Sequence, residues 1–191
     1  MNIELVPVIE MTYYNSAPFP EKGPYWEYQD DWENYAQIRL KNAGFVDDFE
    51  PYIKGSSFYE PHKLSLPNLK KLIIDWFEGY DLSDLDDILP LYGGYVLKVD
   101  NENIYFPQCC GDLGDIVYWE KIIKESKNCY YNGHPAPLIS FTQSEVVFRF
   151  DETYEEFTPP VPDSLTLNLN RMEKALNVTL SKLKEFEQRI L

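Results

Sequence analysis

Two thiols, two carboxylates and an imidazole lie within 26 positions of one another in this chain, at Cys109, Cys110, Asp112, Asp115 and His134. Asp112 and Asp115 could orient a base or hold a divalent cation beside His134. A thiolate from Cys109 or Cys110, paired with His134, would be an activated nucleophile. On that reading the chain is a small metal- or cysteine-dependent hydrolase working from the 107–119 loop and His134. Cys109, Cys110, Cys129 and His134 also place four zinc-type ligands within 26 positions. Structural zinc, however, usually takes its cysteines two to four residues apart, so that both thiolates converge on one ion. Adjacent cysteines are expected to point in different directions. No metal and no other cofactor is therefore expected.

The same residues have a plainer reading. They lie in two irregular segments, Tyr105–Trp119 and Asn132-Gly-His-Pro135. Gly111 and Gly114 ahead of a helix would suit a phosphate-binding turn. Yet Asp112 and Asp115 would repel phosphate, and no Lys or Arg falls between Lys98 and Lys121. Asp115 then reads as an N-cap and Asp112 as a turn-former, with the glycines supplying positive φ. His134, in Gly-His-Pro, reads as a loop residue hydrogen-bonded to backbone.

Among the elements that flank these loops, Ile3–Ile9 reads as a strand, with Pro7 marking an edge or an end. Over Asp31–Ala43, Trp32, Tyr35, Ala36, Leu40 and Ala43 share one helical face, and Gly44 stops the helix. Ser65-Leu-Pro starts another, in which Leu69, Leu72, Ile73, Trp76 and Phe77 recur at helical spacing. Gly94–Val99 and Ile104–Phe106 form a hairpin across Asp100–Asn103, Ile116–Ser126 a short helix, and Pro137–Thr142 with Glu145–Phe150 a second hairpin. After a proline-rich joint at 158–162, an apolar stripe from Leu165 to Ile190 predicts a long C-terminal helix over 164–190. The expectation is one α+β domain spanning 1–191, an antiparallel sheet built of hairpins with helices packed mainly on one face.

The 191 residues suffice for one well-filled core. Aromatic residues make up 16%, with 15 Tyr, 11 Phe and 4 Trp, enough to fill a core and leave rings for a binding surface. The net charge is −15, from 32 acidic residues against 17 Lys and Arg. Nucleic acid and anionic lipid are excluded as direct ligands, because affinity for them comes from cations neutralising phosphate. Three cysteines, two of them adjacent, form no disulfide framework. The first residues do not read as a secretory signal, and no apolar run approaches the roughly 20 residues of a membrane span. A cytoplasmic setting is expected.

Aromatic and acidic residues interleave in Tyr25–Tyr35 and Asp75–Asp87. Trp26, Trp32, Tyr35, Trp76 and Tyr80, ringed by Asp84, Asp86, Asp87 and their neighbours, suit a basic protein surface. There the rings would supply affinity and the carboxylates would steer encounter. The expected function is a non-catalytic, acidic protein-binding module with a basic protein partner.

Gly93-Gly-Tyr-Val-Leu-Lys-Val-Asp-Asn-Glu-Asn-Ile-Tyr-Phe-Pro107, running on through Gln108–Trp119, resembles a pattern of bacterial toxin-immunity proteins of the SMI1/KNR4-like (SUKH) type, as does Gly133-His-Pro135. In that group a Gly-Gly strand, a hairpin and a helix carrying Trp recur. The resemblance implies an acidic α+β binder that neutralises a basic toxin, often a nuclease, without catalysis.

Overall fold

The computed structural model describes residues 1–47, 49–78, 80, 88–127, 133–151 and 154–191. They form a mixed α+β fold with antiparallel strand pairs and four α-helices, the last of them a long C-terminal helix. The chain divides into two compact units, Met1–Pro7 with Tyr92–Lys184, and Val8–Leu91 with Glu185–Leu191.

The first unit takes the opening residues of strand β1 (Ile3–Glu10) and the hairpin of β3 (Gly93–Val99) and β4 (Glu102–Tyr105). Its turn is tighter than the four residues expected. Val99 pairs with Glu102, and Asp100 and Asn101 alone make the reversal at φ 47° and 72°. Two positive φ values in succession suit the right-handed twist of a hairpin, and Asp and Asn tolerate them best after glycine. The second hairpin, β5 (Leu138–Phe141) and β6 (Glu145–Arg149), forms where the sequence predicts it.

A third strand, β7 (Ser164–Asn168), then adds to β6, and the last helix, α4, runs over Leu169–Ile190. This corrects the predicted helix start at 164. Leu165 lies in line with the helical stripe of Leu169, Met172 and Leu176, but Ser-Leu-Thr-Leu-Asn alternates with period two, and Leu167 falls on the opposite side of a helix from Leu165. Tertiary context decides, because β6 would otherwise leave an open edge. Val146 faces Leu167 and Phe148 faces Leu165 across the pair. Asn168 then caps the helix, its side-chain oxygen accepting from the Arg171 N–H at 3.2 Å.

Tyr95, Trp119, Ile122, Val146, Phe148, Leu167, Met172 and Leu176 make the centre of this unit's core, all fully buried. Trp119, Ile122 and Ile123 come from helix α3 (Ile116–Glu125), and Met172, Ala175 and Leu176 from one face of α4. Thr179, on the same face, donates its hydroxyl to the Leu5 carbonyl at 2.6 Å. Pro7 falls inside β1, which has a hydrogen-bonded strand on either side, so it marks neither an edge strand nor a strand end as the sequence suggested.

The second unit contains the rest of β1, helix α1 (Gln29–Asn42), the short strand β2 (Phe58–Tyr59) and helix α2 (Leu66–Phe77). Ile9 and Glu10 pair with Tyr59 and Phe58. Phe45, Phe49 and Tyr59 form a chain of edge-to-face rings at 5.2 and 5.4 Å. Ser65 caps α2 as predicted, accepting from Asn68 N–H, with Pro67 in the first turn. Gly44 ends α1 at φ 89°. Helix α1 buries Ala36, Arg39 and Leu40 and leaves Trp32 and Tyr35 half-buried.

Candidate functional site

The first unit holds the loop that carries the candidate catalytic residues. Gly111 N–H donates to the Gln108 carbonyl at 3.2 Å, closing a four-residue turn with Cys109 and Cys110 at its centre. Cys110 has φ 69°, a conformation that favours glycine at this position of a turn. Three neighbours hold the turn in place. Gly93 N–H donates to the Gly111 carbonyl at 2.9 Å, and His134 N–H donates to the Cys109 carbonyl at 3.0 Å. The buried amide of Gln108 donates to the Phe106 and Thr158 carbonyls and accepts from Thr158 N–H. Glycine is required opposite the turn, since a Cβ on Gly133 would lie 2.2 Å from the Cys109 carbonyl oxygen.

Cys109 and Cys110 are both exposed, and their sulfurs lie 3.3 Å apart. The expectation that adjacent thiols diverge is thereby corrected. Successive side chains point to opposite sides in an extended strand, but the left-handed turn at Cys110 brings both to one side. His134 meets this turn through its backbone and is itself exposed. Cys129 and Asn132 lie outside the described residues.

Asp112 and Asp115 make a reciprocal cap on the short 3₁₀ turn Leu113–Asp115 that leads into α3. Asp112 accepts from Gly114 N–H at 2.6 Å, and Asp115 accepts from Asp112 N–H at 3.1 Å. Both carboxylates thus satisfy backbone donors that a helix start leaves open. Asp115 is buried, and loss of solvent pushes its pKa up to about 6. The bond from Asp112 N–H lowers it in part, and the Asp112 carboxylate raises it further.

A pH dependence follows from that shift. The folded chain holds the Asp115 proton more tightly than the unfolded chain, where the ordinary value is 3.8. The contribution to stability is therefore complete below the unfolded value and is lost as pH rises through about 6. Asp115→Asn keeps an acceptor for Asp112 N–H and removes the charge. Its unfolding midpoint in urea is expected to match or exceed wild type at pH 7, by roughly 1–3 kcal/mol at most. The wild type should recover that difference between pH 7 and pH 4. Parallel stability curves for the two proteins over that range would refute the assignment.

The second unit holds the candidate binding residues. Phe19 is 67% exposed and meets Trp32 at 5.1 Å and Tyr35 at 5.4 Å, both edge-on. Trp32 and Tyr35 touch each other at 6.0 Å, one helical turn apart on α1. Trp32 is anchored by its indole N–H on the Lys22 carbonyl at 2.8 Å, and Tyr35 by the Arg39 guanidinium over its ring at 5.1 Å. Exposed Asp31 lies beside Trp32 and one turn before Tyr35, and Asp30 is ion-paired with Lys54. Trp26 packs edge-on against Tyr25 at 5.1 Å. Trp76 is in the last turn of α2, its indole N–H donating to the Leu89 carbonyl at 2.8 Å, and Tyr80 lies beyond the helix, its N–H on the Phe77 carbonyl at 3.1 Å. Asp84, Asp86 and Asp87 lie outside the described residues. The second unit's sequence carries 18 acidic and 8 basic residues, a balance of −10, against −5 for the first unit.

Three residues escaped the reading of the sequence. Phe19 sits in a proline-rich stretch without periodicity. Arg39 is a cation on a helix face otherwise read for its rings. Gln108 is an amide in a loop read for its carboxylates and thiols, and no local pattern marks it. Compared with known proteins, the chain matches no family model, no curated protein and no solved structure at a significant level.

Proposed function

We propose that this protein is a non-catalytic, acidic protein-binding module of the immunity type, which neutralises a basic toxin by occupying its surface. The observation that carries this reading is the exposed ring of Phe19 on half-buried Trp32 and Tyr35, in the more acidic of the two units. Rings whose other edges are already anchored lose little freedom on binding, and carboxylates around them raise the rate of encounter with a cationic partner. The setting in this reading is a bacterial cytoplasm. No helix among the described residues is long and apolar enough to cross a membrane.

The test is affinity capture from native lysate at low and high salt, with mass spectrometry of the retained protein, followed by binding measurements on that partner. A basic protein is expected, held at low salt and released at high salt. Phe19→Ala should weaken it by about 10- to 100-fold, mainly through faster dissociation. Asp31→Lys should slow association at low salt and have little effect at high salt. A partner that is not basic, or a basic one indifferent to both substitutions, would overturn the proposal.

A further inference from the structure

The turn of Cys109 and Cys110 carries an inference independent of the binding reading. We propose that it is a vicinal dithiol site for trivalent, thiophilic arsenic centres of the class R–As(OH)₂ or R–As=O. Both sulfurs are exposed and 3.3 Å apart, so a ligand reaches them without opening the fold. A soft centre about 2.3 Å from each sulfur, the length of a zinc–thiolate bond, would then subtend an angle of roughly 90°. Tetrahedral zinc at that bond length needs the sulfurs about 3.8 Å apart. A pyramidal trivalent centre, with bonds at roughly right angles, fits the observed spacing better. It also requires only two protein ligands when it brings its own organic substituent. Among the described residues, no group of three His, Cys, Asp or Glu is placed to hold a metal ion.

The backbone holds the pair ready for such a centre. Cys110 occupies a φ of 69°, which is costly for a residue with a side chain, and the cost falls on the conformation that aligns the two thiols. Close packing over-determines that conformation. Gly133 admits no Cβ against Cys109, and a Cβ on Gly111 would lie 2.8 Å from the Gly93 carbonyl oxygen. The dithiol therefore loses little freedom when it closes on a ligand. The step is a condensation that needs no oxidant. Two S–H bonds and the As=O bond break, two As–S bonds form, one water leaves, and arsenic stays trivalent.

Phenylarsine oxide is the probe, applied to the full chain reduced with a phosphine and followed by intact mass and by titration. One phenylarsenic group per chain is expected, released by a dithiol but not by the same concentration of a monothiol. Cys129→Ser should leave this unchanged. Cys109→Ser and Cys110→Ser should each weaken binding by about 100-fold or more, because only one As–S bond to the pair then remains. Cys110→Gly removes the thiol while suiting the positive φ, and should lose binding with its unfolding midpoint preserved or raised. Binding that survives loss of either thiol of the pair, or that requires Cys129, would overturn the proposal.

Discussion

Gly133→Ala is expected to destabilise the first unit by about 3–5 kcal/mol, at the upper end of what single substitutions do. Two costs add. Gly133 has φ 85°, where a side chain is strained, and its Cβ would meet the Cys109 carbonyl oxygen at 2.2 Å and the Gln108 carbonyl oxygen at 2.8 Å. Those are backbone atoms held by hydrogen bonds to His134 and Gly111, so they have no cheap way to move. Gly44→Ala makes the comparison, with a similar φ of 89° but only the flexible end of Lys71 nearby, at 3.5 Å. It should cost about 1 kcal/mol. The check is urea unfolding of both variants beside wild type. If Gly133→Ala proved no worse than Gly44→Ala, the Gly133 segment would not pack against the cysteine turn as described.

A comparable loss is expected from Trp119→Ala, about 3–5 kcal/mol, through a cavity at the centre of the first unit. Trp119 is fully buried, and its ring lies 6.0 Å from that of Phe148, also fully buried. Phe148 continues through Phe150 to Phe157 and Tyr105, so truncating either ring of the first pair opens one end of a continuous aromatic row. Phe148→Ala should cost about as much as Trp119→Ala. The double variant should fall short of the sum by about 0.5–3 kcal/mol, because the two truncations share one cavity. Strict additivity in a double-mutant cycle would show that the rings contribute separately.

Most of the helices and both hairpins could be read from periodicity and turn chemistry. Ser65 with Pro67, Gly44, and the acidic start of α3 are local signals, because capping and positive φ act on a residue and its next few neighbours. The 164–168 segment could not be read in this way. Leu165 extends the stripe of α4 although Leu165 and Leu167 together alternate as a strand, and the open edge that recruits the segment belongs to β6, about twenty residues earlier in the chain. The candidate sites divide along the same line. That Asp112 and Asp115 serve the start of α3 followed from their types, but their roles are exchanged: Asp112 is the cap, and Asp115 accepts back from its N–H without capping α3 itself. The anchoring of their turn by Gln108 did not follow, since its partner Thr158 lies fifty residues away.

The α+β class, the strongly acidic balance and the wealth of rings are legible in the residues alone, because composition and short-range pattern express burial and backbone preference directly. Folding alone decided which rings stand together, placing Phe19 on Trp32 and Tyr35 although Phe19 and Trp32 are thirteen positions apart in the chain. It decided, too, that two neighbouring thiols face one way. That outcome depends on one left-handed residue, and the hydrogen bonds and close glycine contacts that hold the turn come from segments distant in the chain.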